Sequence, residues 1–210
     1  MRAPVALVAV LLAGSSAYAQ TEPAISIRPF VFAAGEQFDA QTTFNAAFDR
    51  ASQPLWGGGV QVTFRPGIFA EVSASRFRKT GQRAFVDGSQ IFRLGIPLTA
   101  TLTPIEVTGG YRFHLRRHPR LLPYVAAGVG SYRYEEVSGF AAAGENVDLR
   151  HTGYLGNGGI EVRLHRWIGL ASDVQVTHVP GILGRAGISK DANENDLGGI
   201  AVRVKAVIGR

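Results

Sequence analysis

The segment Gly199–Ile208 (GIAVRVKAVI) decides the fold, because its apolar and charged side chains alternate strictly. Ile200 and Val202 share one parity, whereas Arg203 and Lys205 occupy the other. Successive side chains of a β-strand point to opposite faces of the sheet, so the segment predicts a strand with one apolar and one charged face. Such a strand belongs either to a water-soluble sheet, with its charges outward, or to an outer-membrane barrel, with its charges toward a polar lumen.

Seven further segments alternate in the same way, which makes eight predicted strands. Their predicted bounds are Ala24–Ala34, Gly58–Arg65, Ile68–Arg78, Ala100–Phe113, Pro123–Tyr134, Thr152–Leu164 and Trp167–His178. The connections after the even-numbered strands are short: Pro66–Gly67, His114–Leu122 and His165–Arg166. The connections after the odd-numbered strands are long: Gly35–Gly57, Lys79–Thr99, Glu135–His151 and Val179–Leu197.

Short turns on one rim and long loops on the other are typical of outer-membrane barrels, and an even number of strands returns both termini to the short-turn rim. The sequence therefore predicts an all-β fold. We expect an eight-stranded antiparallel up-and-down transmembrane β-barrel with short periplasmic turns and long extracellular loops. An exported, soluble, lipocalin-like barrel is the structural alternative.

The first residues predict export. Arg2 supplies a positive start, Pro4–Ala13 is an apolar run of about ten residues, and Ala17-Tyr18-Ala19 provides small residues at a cleavage site. The run is much shorter than the roughly 20 apolar residues of a membrane-spanning helix. We expect residues 1–19 to be a signal peptide and residues 20–210 to be the outer-membrane β-barrel domain. A buried N-terminal strand or helix is the alternative for the first segment.

Composition excludes several kinds of site. The chain has no cysteine, so it forms neither disulfides nor thiolate metal sites. Its formal net charge is +6, but export argues against nucleic acid as the partner. We expect the basic residues to meet the phosphates of outer-membrane lipids and lipopolysaccharide. No cofactor is expected.

The charged side chains of the strands lie on the parity opposite to the apolar side chains. Acidic and basic residues fall on different strands, and eight strands enclose a space just wide enough for side chains to fill. Because buried charges persist only when they are paired and hydrogen-bonded, we expect them to pair across the lumen as a structural charge network. The predicted members of this network are Glu71, Glu106, Arg112, Glu161, Arg163, Asp173, Arg203 and Lys205.

The other parity favours contact with lipid. In the second, sixth, seventh and eighth strands it carries no Asp, Glu, Lys or Arg near the middle. A cation at the lipid-facing midplane would cost roughly 2–4 kcal/mol. Aromatic residues near the strand ends are expected to form interfacial girdles. They are Phe64, Tyr111, Phe113, Tyr124, Tyr132, Tyr134, Tyr154 and Trp167.

Two motifs carry a family resemblance: Pro123–Gly130 (PYVAAGVG) and Gly109–Phe113 (GGYRF), which closes a strand. With the hairpin plan, they make the chain resemble the small outer-membrane β-barrel proteins of the OmpA-type transmembrane domain family. The resemblance implies residence in the outer membrane of a Gram-negative-type bacterium and insertion by the barrel-assembly machinery. The family usually ends its last strand with an aromatic residue, whereas this chain ends Val207-Ile208-Gly209-Arg210.

The sequence offers no set of catalytic, cofactor-binding or metal-binding residues. His178 shares a strand face with Ser172, but six residues at about 3.3 Å each separate them by roughly 20 Å, too far for a base and its nucleophile. This argues against lipid hydrolysis on the outer wall. No pair of histidines has the spacing of a helical zinc site. We therefore expect the protein not to be an enzyme.

The long loops are the remaining place for a specific function. The first carries Phe38, Phe44, Phe48 and Trp56 among charged residues. These aromatics either pack among themselves as a cap over the barrel mouth, which we favour, or contact a surface ligand. The leading hypothesis is a structural or surface-interacting barrel whose lumen is filled by side chains. The alternative is a small channel for ions or apolar compounds.

Overall fold

The computed structural model describes residues 25–64, 67–87, 90–139, 146–184, 189–190 and 192–209. The predicted signal peptide, residues 1–19, lies outside these ranges, as do the predicted strand ends Ala24 and Arg65 and parts of the predicted connections, residues 66, 88–89, 140–145, 185–188 and 191. The strands are β1 Ile25–Phe38, β2 Ser52–Phe64, β3 Ile68–Asp87, β4 Gln90–Arg112, β5 Leu121–Ser138, β6 Val147–His165, β7 Ile168–His178 and β8 Gly199–Ile208. The helix α1 covers Gln41–Phe48.

The eight strands form one closed barrel in which each strand pairs antiparallel with its sequence neighbours. β1 closes the ring by pairing with β8, from Phe30 opposite Val207 to Phe38 opposite Gly199. The short connections and both ends of the barrel sequence lie at one rim, the short-turn end, and the other rim is the long-loop end. The predicted strand number, order and direction are confirmed.

Several strands are longer than the sequence predicts, mainly at the long-loop end. The sequence allows the connection Lys79–Thr99 to extend the second hairpin beyond the membrane, and its described residues do so: Lys79 lies opposite Ala100 and Ala84 lies opposite Arg93. The hydroxyls of Thr80 and Thr99 hydrogen-bond across it at 2.9 Å. Apolar and polar side chains alternate only where a strand contacts lipid. The alternation therefore does not mark the ends of strands that continue into water.

The short helix α1 was not predicted, because it lies inside a segment that the alternation leaves as a loop. Its buried residues are Phe44, Ala46, Ala47 and Phe48, and all of them except Ala46 pack in one apolar cluster with Phe38 of β1 and Phe77 of β3. Within the described ranges, no helix combines the length and the apolar character needed to cross a membrane.

The two faces of the sheet are inverted relative to a water-soluble barrel. On β8, Val202 and Val204 are 54% and 50% exposed, whereas Arg203 and Lys205 are each 3% exposed. β6 repeats this arrangement, because Ile160 is exposed and Glu161 is buried. The apolar parity therefore forms the outer wall and the charged parity points into the barrel, as the sequence predicts for an outer-membrane barrel.

Adjacent glycines on β4 show how little room the interior leaves. A Cβ atom on Gly110 would lie 2.4 Å from the carbonyl oxygen of Val125 and 2.6 Å from the ring of Phe69. A Cβ atom on Gly109, which faces outward, would meet nothing within 4 Å. The inward glycine is thus required by the close approach of its neighbours, whereas the outward glycine is not.

Candidate functional site in the barrel interior

Glu161 lies between two arginines near the short-turn end. Arg28 donates to Glu161 through both terminal nitrogens, with Nη1 3.0 Å from Oε2, and Arg112 Nη2 lies 3.1 Å from Oε2. Gln61 accepts hydrogen bonds from both guanidinium groups, at 3.3 Å from Arg28 Nη1. All four side chains are buried, so one carboxylate balances two enclosed cations here.

A second group of charges lies next to the first. Arg203 Nε donates to Asp173 at 2.6 Å and its Nη2 donates to the other carboxylate oxygen at 3.1 Å. Lys205 Nζ lies 3.0 Å from Glu71 and 3.2 Å from Asp173. Tyr124 donates its hydroxyl proton to Asp173. Every charge of this group therefore has an opposite charge within reach, which is the condition for keeping it inside a protein.

Glu106 receives hydrogen bonds from several side chains closer to the long-loop end. Tyr132 donates to it at 2.8 Å and Gln175 Nε2 at 3.1 Å. Arg203 Nη1 approaches it at 4.0 Å. At the short-turn end, Gln61 Nε2 donates to Glu71 at 3.2 Å and so connects the group around Glu161 to the group that contains Lys205.

Polar contacts therefore run without a break from one end of the barrel interior toward the other. We call this chain of contacts the interior network. Its members are Arg28, Gln61, Glu71, Glu106, Arg112, Tyr124, Tyr132, Glu161, Asp173, Gln175, Arg203 and Lys205. The rings of phenylalanines lie beside three of its cations, with Lys205 Nζ 5.0 Å from the centroid of Phe30. Such contacts stabilise enclosed cations further.

The structure brings together most of the charged residues that the sequence singled out. Seven of them are buried inside the barrel: Glu71, Glu106, Arg112, Glu161, Asp173, Arg203 and Lys205. Arg163 is different, because it is only half-buried at the short-turn end and forms no ion pair with any described residue.

Sequence reasoning missed Arg28 as a member of the network. Arg28 lies on the polar parity of β1, and this parity could have identified it from the sequence as an inward-facing residue. The neighbouring Pro29 made the register of this strand uncertain from sequence, since proline cannot donate to the ladder. Glu36 was missed as well: it is buried on the inner face of the same strand.

The prediction of the aromatic girdles is correct for some residues and wrong for others. Exposed on the outer wall are Phe64, Tyr111, Phe113, Tyr154 and Trp167. Tyr124, Tyr132 and Tyr134 are instead buried inside the barrel. These three tyrosines share the inward parity of β5, and their hydroxyls donate to Asp173, Glu106 and Glu136. The parity of an aromatic residue along its strand therefore predicts its face better than its position near a strand end does.

An apolar cluster closes over the interior network at the long-loop end. Phe38 stacks on Phe44 with ring centroids 4.2 Å apart, and Phe48 and Phe77 pack around them. Ile182 and Leu197, from the segment between β7 and β8, join the same cluster. The predicted packing of the first loop's aromatics as a cap is confirmed for the phenylalanines. It is wrong for Trp56, which is 69% exposed on the outer wall.

Glu194 holds the first turn of α1. The residue before the helix is Ala40, whose side chain has no oxygen to accept the free backbone N–H groups. Glu194, from the segment between β7 and β8, accepts from the backbone N–H groups of Thr42 and Thr43 at 2.7 and 2.8 Å. It also accepts from the Thr43 hydroxyl at 2.6 Å. One long loop thereby fixes the helix of another.

Ser172 and His178, the two residues considered from the sequence as a nucleophile and its base, do not form a catalytic pair on the outer wall. Ser172 faces outward opposite Val204, and His178 contacts Asp196. Asp196 is itself engaged by the backbone N–H groups of Val179 and Gly198, at 2.7 and 2.8 Å. This arrangement anchors the loop at the end of β7. Within the described part of the chain, no group of three or more metal-ligating side chains is found.

Comparisons with known proteins agree with the geometry at the level of the fold. No protein-family model matches the chain, and no curated protein matches it. Among solved structures, Neisserial surface protein A superposes with a TM-score of 0.50 at 10% sequence identity, over 89% of this chain and 96% of that one.

The attachment invasion locus protein Ail of Yersinia pestis, solved with the heparin analogue sucrose octasulfate, gives a TM-score of 0.51 at 11% identity. The match covers 88% of this chain and 96% of Ail. Both neighbours are small eight-stranded outer-membrane β-barrels. The chain thus has the fold of an OmpA-type outer-membrane barrel, as predicted.

Replacing Glu161 by Gln tests how strongly the interior network depends on this carboxylate. The variant leaves the Arg28 and Arg112 cations enclosed without their counter-charge, and breaking a buried ion pair in this way costs about 3–5 kcal/mol. We expect the midpoint of unfolding by urea, followed by gel mobility of the folded barrel in lipid vesicles, to fall sharply. The matched control is Asp148→Asn, which removes a carboxylate from the exposed pair with Arg133. Equal midpoints for the two variants would contradict the argument.

The cap of α1 predicts a pH dependence. Partial burial opposes ionisation of Glu194, but the hydrogen bonds from Thr43 and Thr42 outweigh it and hold its pKa below the ordinary value. The stabilisation is therefore complete above the unfolded pKa of about 4.3 and is lost as the pH falls through the lower, folded value. We expect the amide proton shifts of Thr42 and Thr43, measured by NMR, to stay constant down to the unfolded pKa of a glutamate and to change only below it. In Glu194→Gln this titration should vanish; its persistence would assign it to another group.

Proposed function

We propose that this chain is an integral outer-membrane barrel without catalytic activity, exported by the signal peptide at residues 1–19 and inserted by the barrel-assembly machinery. Its role is structural or surface-interacting. The exposed apolar wall supports residence in the membrane, because it runs along every strand and covers an interior of paired charges. Closure of β1 on β8 supports it too, since backbone groups in lipid must all be paired within the protein.

The observation that carries the proposed role is the pair of obstructions in series along the barrel axis. The interior network fills the barrel from the short-turn end inward. The cluster of phenylalanines covers the long-loop end as a cap. Between them lies a cavity of about 20 Å³ lined by Glu36, Glu106, Tyr132 and Arg203 among others. A cavity needs about 10–15 Å³ to hold one water molecule. We infer that the lumen passes no sizeable solute.

Single-channel recording in planar bilayers tests the plugged lumen against the channel alternative. We expect the purified wild-type protein to give no reproducible conductance steps, because the interior network and the cap block the same path. A porin reconstituted in the same bilayers serves as the positive control. Stable, uniform steps from the wild-type protein would establish the channel for ions and would contradict the proposed role.

We also propose that lipopolysaccharide is a partner, and that arginines on the outer wall bind its phosphates. On the outward parity of β3, the exposed apolar residue Val72 is followed by exposed Arg76 and Arg78. Arg76 lies opposite Trp56, whose exposed ring marks an interfacial position. Neither arginine has an ion-pair partner among the described residues. By contrast, Arg133 on the same side of the barrel is neutralised by Glu135 and Asp148, at 3.0 and 2.8 Å.

The double variant Arg76→Gln/Arg78→Gln tests the lipopolysaccharide partner. Each arginine near an anionic surface contributes about 1 kcal/mol, so the double variant should bind lipopolysaccharide roughly thirtyfold more weakly. Binding is measured by titrating lipopolysaccharide into protein held in uncharged detergent micelles. The matched control, Arg116→Gln/Arg117→Gln, removes two exposed arginines from the opposite rim and should bind as the wild type does. Equal losses in both variants would indicate attraction by net charge alone.

A further inference from the structure

A second cavity, of about 220 Å³, opens at the short-turn end. It is many times larger than the space that one water molecule needs. We call it the mouth pocket. Its polar lining consists of Arg28, Arg163, His165 and Arg166, and the rest of the wall is formed by Ile168, Gly169 and Gly209. Among the described residues that line it there is no carboxylate.

The mouth pocket adjoins an excess of positive charge. Glu161 is the carboxylate nearest to it, and Arg28 and Arg112 already share its two oxygens. Arg163 lies two residues along the same face of β6 from Glu161, so it adds a third guanidinium to this end of the barrel, and it forms no ion pair with a described residue. Arg112 Nε is buried and has no hydrogen-bond partner among the described residues. Enclosed cations that outnumber the carboxylates near them favour the entry of an anion.

Two glycines leave the mouth pocket open. A Cβ atom on Gly169 would lie 2.7 Å from a carboxylate oxygen of Glu161. A Cβ atom on Gly209 would lie 3.0 Å from the carbonyl oxygen of Ile27 and 3.1 Å from Cγ of Arg28. Side chains at either position would crowd the wall of the cavity. Glycine at these two positions therefore keeps the wall of the mouth pocket free of further side chains beside Glu161 and Arg28.

We propose that the mouth pocket binds a phosphate group, with Arg163 and Arg166 as its main ligands and His165 as an additional donor. The guanidinium group presents its N–H donors as a planar fork that matches phosphate oxygens two at a time. The cavity has room for a phosphate together with part of the group that carries it. Two sources supply this chemistry: free phosphate and the headgroup of a phospholipid in the adjacent leaflet. That the adjacent leaflet is the periplasmic one rests on the proposed function.

The binding site is tested by isothermal titration of inorganic phosphate into the wild-type protein in uncharged detergent micelles. We expect saturable binding with one site per chain and a loss of affinity of at least tenfold in Arg163→Gln/Arg166→Gln. The matched control Arg116→Gln/Arg117→Gln removes two exposed arginines from the neighbouring turn and should bind as the wild type does. Gel mobility with and without boiling verifies that each variant is folded. Should the double variant fail this check, the single variant Arg166→Gln, at an exposed turn position, takes its place with the same expected direction.

A second arm distinguishes the two sources by titrating short-chain phosphatidylglycerol under the same conditions. Tighter binding of the lipid than of phosphate, sensitive to the same arginines, assigns the mouth pocket to a lipid headgroup; the reverse order assigns it to the free anion. Absence of binding for both ligands, or equal losses in the variant and its control, overturns the proposal. Because binding is measured in micelles, this outcome is independent of the conductance experiment that tests the plugged lumen.

Discussion

Closure of the sheet is the constraint on which the rest of this structure depends. The ladder between β1 and β8 leaves no strand edge, so the backbone satisfies its own hydrogen bonds around the whole ring. In a hydrocarbon environment an unpaired N–H or C=O group costs several kcal/mol, which is why a membrane sheet must close. Once it closes, every second side chain is forced into a space that is only wide enough for side chains. The apolar outer wall and the charged interior are two consequences of the same geometry.

The charges inside are sorted along the barrel. At the short-turn end Arg28 and Arg112 bind Glu161, and Arg163 lies on the same face of β6, which leaves positive charge in excess. Farther in, the carboxylates of Glu36, Glu71, Glu106 and Asp173 outnumber Arg203 and Lys205. Contacts such as Gln61 with Glu71 connect the two zones. The excess charge of the interior therefore changes sign along the barrel axis. Cations are in excess at the short-turn end, where the mouth pocket lies, and carboxylates are in excess beneath the apolar cap.

The long loops are integrated with the barrel. α1 places its phenylalanines on the barrel mouth, and its first turn depends on Glu194 from a loop far along the chain. Asp196, two residues later, binds the backbone at both ends of its own loop. The extension of β3 and β4 is paired with itself above the membrane. The surfaces left for partners are thus the outer wall with Arg76 and Arg78, the hairpin extension and the short-turn mouth.

The sequence by itself determined the number, order and facing of the strands, because alternation with period two is a local property that each segment carries alone. The same rule placed seven charged residues of the predicted network inside the barrel. Only the tertiary structure decided which charges meet: Arg28 and Glu161 lie on different strands far apart in sequence, and their contact exists only after the ring closes. The helix α1 and its cap by Glu194 were also decided at that level, as were the contacts of Tyr124 with Asp173 and of Tyr132 with Glu106. The local sequence pattern determines which face of the sheet a side chain lies on. Its partner across the barrel depends on the register, tilt and closure of the strands, and no single segment encodes these.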